Sequence, residues 1–407
     1  MWQNFKNIYH LLTACLAVLY YRYPSSKIKV IGVTGTDGKT TISSLIAHIL
    51  AENHRKVSII TTVAAKIGSQ VYETGFHTTT PSPFAIQKYL RLAVDNNNEF
   101  FVLETTSHAL DQYRVFGVCY LVSVITNITH EHLQYHKTYE NYVKAKAKLI
   151  KWSKFGYINK DDMSFEYLVK ILDMSAVKTY GLEKGADFTL NISEKLNLSM
   201  PHFNKYNFLA AYVVCRKIGL TDSQIFSAMK TYTLPEGRME LIYDSKFKVI
   251  VDFAHTPNSL HEVLPSIRKK YLKHGRLIHV FGCAAFRDDS KRSIMGRESG
   301  TLADLTIVTE EDYRTEDPRR IFKMIATGLE EAGSTFEDKV TFGKNVKTFT
   351  YINNRLEAIK KALEIAHKGD VIILTGKGHE KSLCRGKKEF PWSDKVVTLD
   401  LINGSSS

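Results

Sequence analysis

Lys39 and Thr40 stand at the end of the stretch VIGVTGTDGKTTISSLI, residues 30–46, where a glycine-rich loop opens a helical pattern. A phosphate loop places four residues between its first glycine and the Gly-Lys pair, whereas Gly32 and Gly38 enclose five. The chemistry open to such a variant is phosphate binding. Backbone N–H groups of Gly35, Thr36, Asp37 and Gly38 and the helix N-terminus would cradle anionic oxygens, with Thr41 beside them. Lys39 would reach the terminal phosphate and the Thr40 hydroxyl would face Mg2+.

Other polar groups follow apolar runs. FFVLE ends on Glu104, and LVSVITN ends on Asn127 just before ITHEHLQYH. His130, Glu131, His132 and His136 could be metal ligands or proton carriers. Beside a phosphate loop, Mg2+ is preferred over zinc, because it takes carboxylate, hydroxyl, water and phosphate oxygens.

These residues need elements to hold them. From residue 28 onward, β-branched runs alternate with helical patterns: IKVIGV precedes Ile42, Leu45, Ile46, Ile49 and Leu50 at helical spacing. Such alternation predicts an α/β fold with a mainly parallel sheet, whose strand C-terminal ends are where ligands bind. A second series, FKVIVDFAHTP, RLIHVFGC, ADLTIVTEED and DVIILTGKGHE, begins after TLPEGRME. Pro235 and Gly237 punctuate the chain there. The predicted organisation is an N-terminal apolar helix (1–27), a phosphate-loop ATPase domain (28–235) and a Rossmann-like α/β domain (236–407).

Composition narrows the class. With 407 residues and 44% hydrophobic content, the chain can bury more than one core, which excludes a disordered polypeptide. A formal charge of +13 favours anionic partners: nucleotides, sugar phosphates, nucleic acid or an acidic membrane surface. Five cysteines without a CxxC pair suggest neither a zinc site nor a disulfide framework, and fit a cytoplasmic protein. The run IYHLLTACLAVLYYRY is shorter than the roughly 20 apolar residues a membrane span needs. It is expected as a helix packed on the body or lying on the inner membrane surface, and LTAC is not read as a lipoprotein box.

Taken together, GVTGTDGKTT, TTTP, ETTSHALDQYRV, TNITHEHLQYH, YVKAKAKLI, FNKYN, GRME, DFAHTP, FGC with RDDSKR, RTEDP and GKGHE resemble, in order, the Mur ligases of cell-wall peptide synthesis, and within them the MurE type. The resemblance implies an ATP- and Mg2+-dependent ligase. A muramoyl-dipeptide carboxylate would be phosphorylated to an acyl phosphate, which the amine of an added amino acid opens. It implies that Lys39, Glu104, His132 and Lys146 are catalytic, with Thr40 and Glu104 holding a first Mg2+, His132 a second, and Lys146 supporting the metal. Lys146, flanked by Lys144 and Lys148, matches the family lysine that takes up CO2 as a carbamate, turning an ammonium into an anion.

By the same resemblance Asn207, with Asn204 near it, faces adenine, while Arg238, Asp252 and His255 serve the ribose and α-phosphate, so that ATP engages both domains. Thr79, Thr80, Thr106, Gln112 and Arg114 would contact the acceptor. Arg287, Asp312, Arg314, Gly376 and Glu380 would hold the added amino acid, with meso-diaminopimelate preferred because Arg314 suits a distal carboxylate.

The chain departs from the family at EDYR, where Asp-Asn-Pro-Arg is usual, at CAAFRD, which brings in Phe286, and at His130 and Gln134 around His132. Only 27 residues precede the first expected strand, against a family UDP-binding domain of about a hundred. The reading is therefore a shortened MurE-like ligase, monomeric, acting on the standard precursor or on another peptide or lipid-linked acceptor. The rival readings are a folylpolyglutamate or cyanophycin synthetase-like ligase, a non-catalytic scaffold that keeps the fold, and a nucleic-acid-stimulated ATPase. No stacking-aromatic or helix-turn-helix pattern supports the last.

Overall fold

The computed structural model describes residues 2–72, 79–129, 131–338 and 347–404. The chain forms two compact units, Met1–Thr233 and Leu234–Ser407.

Strands of the first unit are β1 (Lys29–Thr34), β2 (Val57–Ile60), β3 (Ala65–Ile67), β4 (Gln70–Tyr72), β5 (Phe100–Glu104), β6 (Tyr120–Ile125), β7 (Ser153–Asn159), β8 (Val177–Gly181) and β9 (Phe188–Thr189). Among the described residues they make one sheet ordered β4-β3-β2-β5-β1-β6-β7-β8-β9. Pairing is parallel except where the β3–β4 hairpin joins β2 antiparallel. The central strands are fully buried runs such as VIGV and FVLE, as expected of a sheet covered on both faces.

The helices that matter for the site are α1 (Trp2–Tyr20), α2 (Lys39–Glu52), α3 (Pro83–Asp95), α4 (Ser107–Asp111), α5 (Leu133–His136) and α6 (Tyr139–Lys151). Ile42, Leu45, Ile46 and Ile49 of α2 pack on Ile31, Val33, Val102 and Val124, so helical spacing meets strand alternation in one core. On the opposite face Ile86 and Leu90 of α3 cover Val30, Phe101 and Leu103. β1 lies between β5 and β6, with Val33 opposite Glu104 and Thr34 opposite Ile125. The chain therefore leaves the sheet at a topological switch point, with the ends of β5 and β6 on either side of the loop.

The second unit contains β10 (Glu240–Asp244), β11 (Lys248–Val251), β12 (Leu277–Phe281), β13 (Leu305–Val308), β14 (Thr335–Phe336), β15 (Thr348–Tyr351) and β16 (Val371–Leu374), ordered β10-β11-β16-β12-β13-β15-β14. Only β10 runs antiparallel among the described pairings. Val251 pairs with Leu374, Leu374 with Val280, and Phe281 with Val308. The segments following β11, β16, β12 and β13 thus all leave from one edge. A hairpin of β17 (Ser382–Arg385) and β18 (Lys388–Pro391) follows.

α1, expected on the body or on a membrane surface, packs against α3 of the first unit, with Ala14 and Ala17 buried. Among the described residues no helix is long and apolar enough to cross a membrane.

Candidate active site

The loop between β1 and α2 is shaped by two neighbours. Asn127 Oδ1 accepts from the Asp37 N–H at 2.9 Å, and Thr126 Oγ1 donates to the Asp37 carbonyl at 2.6 Å. Gly38 caps α2 at φ +82°, and a Cβ there would stand 2.3 Å from Asn207 Oδ1. Only glycine fits that close approach in a left-handed conformation. Asn207 itself donates to Asn204 Oδ1 at 3.0 Å, so the asparagine pair abuts the loop. The fourteen-residue α2 then presents its N-terminal N–H groups, which favour anions.

Lys39 Nζ donates to the Thr36 carbonyl at 2.7 Å, folded back over the loop. The Thr40 hydroxyl donates to Glu104, 3.0 Å from Oε2. Thr62 holds the same carboxylate through its N–H (3.0 Å) and its hydroxyl (2.9 Å). Thr62 was missed in the sequence; its place just after the short apolar run of β2 is the signal that could have found it. Thr41 is buried, its carbonyl accepting from Tyr232 at 3.1 Å.

Of the lysines on α6, Lys144 is exposed and Lys148 pairs with Asp111 at 3.3 Å, while Lys146 is buried and donates to the Gly35 carbonyl. Burial, reinforced by the charge of Lys39, drives the Lys146 ammonium well below the ordinary lysine range. Tyr142, one turn earlier, lays its ring under Nζ at 4.5 Å and shares a hydrogen bond with Thr36 Oγ1 at 3.2 Å.

The histidines divide. His132 caps α5 at φ +57°, its Nε2 3.6 Å from Glu131 Oε2 and its ring 4.8 Å from that of His108. His136 is buried against Ser107 Oγ at 3.0 Å, and burial lowers its pKa to about 4. His130 lies outside the described residues. No group of three His, Cys, Asp or Glu among the described residues forms a metal cluster.

Four of the five expected acceptor residues, Thr79, Thr80, Thr106 and Arg114, are linked around the end of β5. Thr62 Oγ1 and Thr79 Oγ1 lie at hydrogen-bond distance, 3.0 Å, Thr80 donates to the Glu104 carbonyl at 3.2 Å and accepts from the Thr106 N–H at 3.0 Å, and Arg114 donates to the Thr80 carbonyl at 2.8 Å. Gln112 reaches Tyr135 at 3.2 Å.

In the second unit Asp252 is buried and accepts from the N–H groups of Met239 and Ala254 at 2.6 and 2.7 Å, and burial raises its pKa. Arg238 stacks over Phe253 at 4.5 Å, and His255 Nδ1 meets the Phe253 carbonyl at 2.9 Å. Asp312 and Glu380 are both paired with Lys377, at 3.0 and 2.5 Å. Glu380, expected to meet a substrate ammonium, thus already has a cation. Burial alone would lower the Lys377 pKa, but these two carboxylates raise it on balance. Lys377 was not singled out in GKGHE; its flanking glycines were the available sign of a close-packed turn.

Arg314 is half-buried at φ +49°, held by hydrogen bonds through its N–H to the Cys384 carbonyl (3.3 Å) and through its carbonyl from the Gly386 N–H (2.7 Å). Arg287 is exposed in the loop after β12. Gly376 takes φ +98°, and a Cβ there would be 2.6 Å from Glu311 Oε2, a buried oxygen with no hydrogen-bond partner among the described residues. Glu311 also went unremarked in the sequence. Its neighbours Glu310 and Asp312 are engaged by Arg385 and Lys377.

Comparison with known proteins identifies the family. Residues 33–215 match the family model of the Mur ligase middle domain, and residues 237–378 that of the Mur ligase, glutamate ligase domain. The chain is 34% identical over 410 residues to UDP-N-acetylmuramoyl-L-alanyl-D-glutamate–2,6-diaminopimelate ligase 1 of Clostridium acetobutylicum, across 96% of this chain and 81% of that protein. The ligase of the same description from Aquifex aeolicus is 36% identical over 405 residues, across 95% and 80%. A solved structure of a UDP-N-acetylmuramoyl-L-alanyl-D-glutamate–2,6-diaminopimelate ligase aligns with a TM-score of 0.60 at 28% identity, over 93% of this chain and 79% of that one.

Proposed function

The chain belongs to the Mur ligase family, with MurE-type relatives, and on that premise we propose that it joins meso-diaminopimelate to the carboxylate of a muramoyl-dipeptide acceptor, splitting ATP to ADP and phosphate. The observation that carries the reading is the Thr40–Glu104 pair beside Lys39 at the end of β1. The residues present fit a nucleotide and Mg2+. The N-terminus of α2 attracts a phosphate, and a hydroxyl and a carboxylate 3.0 Å apart are hard oxygen donors. Thr40 and Glu104 would hold one Mg2+ and His132 a second, supported by a carbamylated Lys146, and Mg2+ would neutralise charge on the phosphoryl group in transfer.

The remaining work falls to side chains of the chain. Lys39 orients the terminal phosphate for in-line attack by the acceptor carboxylate. The carboxylate oxygen bonds to the γ-phosphorus, the bond to ADP breaks, and a mixed anhydride results. The amine nitrogen then bonds to the carbonyl carbon, phosphate departs and the amine gives up a proton. Burial holds the Lys146 ammonium well below the usual lysine range, which favours the neutral amine; that amine would add to CO2 with loss of one proton, giving an anion in a buried position. Thr79, Thr80, Thr106 and Arg114, with Gln112, would fix the acceptor; within the first unit Asn207 would serve adenine, and within the second Arg238, Asp252 and His255 would serve ribose and α-phosphate.

For the amino acid, Arg314 would bind the distal carboxylate in a bidentate pair, with Arg287, Asp312, Gly376 and Glu380 completing the site. The enzyme is read as a cytoplasmic monomer, with membrane contact through α1. The test offers purified chain, ATP and Mg2+ with muramoyl-dipeptide, with and without UDP, and several amino acids. ADP release that needs both acceptor and meso-diaminopimelate, with a product heavier by that amino acid less water, supports the reading. Absence of any joined product defeats it.

A further inference from the structure

α1 leaves a set of large apolar residues exposed on the face turned away from its own protein. Its small residues face inward: Ala14 is 1% exposed and Ala17 fully buried. Large residues line the outer face, with Leu12 60% and Leu19 74% exposed and Ile8 and Leu16 beside them, while Leu11 and Val18 are half-buried. A helix seated only on its own core places leucines inward and small or polar residues in water. At 100° per residue Ile8, Leu19, Leu12, Leu16, Tyr9 and Tyr20 fall within an arc of about 120°. They make one continuous apolar strip along a nineteen-residue helix, extended at its C-terminal end where the Tyr20 ring comes within 6.3 Å of that of the exposed Phe84. Such a strip marks a surface that meets something apolar.

The surrounding charge decides what that is. No aspartate or glutamate occurs before Asp37, while Lys6, Arg22 and Lys27 are exposed at the two ends of the strip. Tyrosines and cations around an aliphatic stripe match the interface of an anionic bilayer, where the rings sit at headgroup level and ammonium and guanidinium groups meet phosphates. A second copy of the same surface would bring like charges together.

We propose that α1 is an in-plane anchor, which lies along the surface of a membrane containing anionic phospholipid with its Ile8–Leu12–Leu16–Leu19 stripe in the acyl boundary. This deepens the membrane contact named above and does not depend on the ligase chemistry, so the two can fail separately. The test is co-sedimentation of the full chain with vesicles of phosphatidylcholine alone or with one third phosphatidylglycerol, with sedimentation velocity in the absence of lipid. The expected result is binding at least tenfold stronger to the anionic vesicles, weakened by salt. It should be lost in the double variant Leu12→Glu, Leu16→Glu and reduced in Lys6→Ala, Arg22→Ala, Lys27→Ala, with both variants keeping the wild-type melting curve. No binding, equal binding to both vesicles, or a dimer in solution that the leucine variant dissociates would overturn it.

Discussion

Lys146 on α6 donates a hydrogen bond to the carbonyl of Gly35, 111 residues earlier in the chain, and so ties a buried amine to the start of the phosphate loop. A lysine stripped of water and facing Lys39 is costly to keep charged. Its position makes sense if its working form is an anion made from the neutral amine.

Replacement Lys146→Ala is therefore expected to lower kcat by at least about 100-fold, at the upper end for residues that support a metal site. Formate or acetate should restore part of the rate by supplying a carboxylate in the vacated space. Steady-state ADP release with and without the acid checks this. An unchanged rate would remove Lys146 from the mechanism.

Glu104→Gln keeps the shape that Thr40 and Thr62 bind but removes the negative charge. The Mg2+ concentration for half-maximal activity should rise about 10- to 100-fold. Thermal stability should change little, because the amide oxygen can still accept hydrogen bonds. Titrating activity against Mg2+ and recording a melt on one preparation separates the two effects.

Arg314→Lys leaves a cation but not the planar fork that matches a carboxylate. KM for meso-diaminopimelate should rise by about 100-fold, with little change in KM for ATP. Arg314→Ala should also erase the preference over lysine, which has no distal carboxylate. Competition between the two amino acids, read by product mass, measures this.

His279 sits inside the second unit between Ser299 Oγ at 2.8 Å and Thr375 Oγ1 at 2.9 Å, and burial lowers its pKa to about 3. The unfolded chain takes up this proton near pH 6.5, the native chain only near 3. The native state is thus fully favoured above pH 6.5 and loses that advantage as pH falls, by up to about 1.4 kcal/mol per pH unit. Urea midpoints at pH 7.5 and 5.5 should fall further for the wild type than for His279→Gln. Identical falls would contradict the assignment.

Much of this site was legible because phosphate chemistry leaves local marks. The loop, the helix after it and Glu104 at a strand end follow from short-range pattern, and the parallel order of the central strands follows from their continuous apolar runs. Other parts depend on distant contacts. That Lys146 rather than Lys144 or Lys148 is buried is set by the packing of α6, since three lysines at alternate positions cannot all face inward. The pairing of Lys377 with both Asp312 and Glu380 joins segments brought together by strand register. The outlying strands β3, β4 and β9 are two or three residues long and partly polar, too short for alternation to show. The outward leucines of α1 share their spacing with inward ones, so periodicity revealed a helix but not which face meets the body.

The account turns on a carboxylate that is first phosphorylated and then opened by an amine. The most direct measurement is to label the acceptor carboxylate with 18O, run the reaction to completion with ATP and meso-diaminopimelate, and weigh the released phosphate. One 18O atom carried from the carboxylate into each phosphate is the predicted result. Phosphate released without label while the amide forms would show that no such anhydride lies on the path, and would contradict the account.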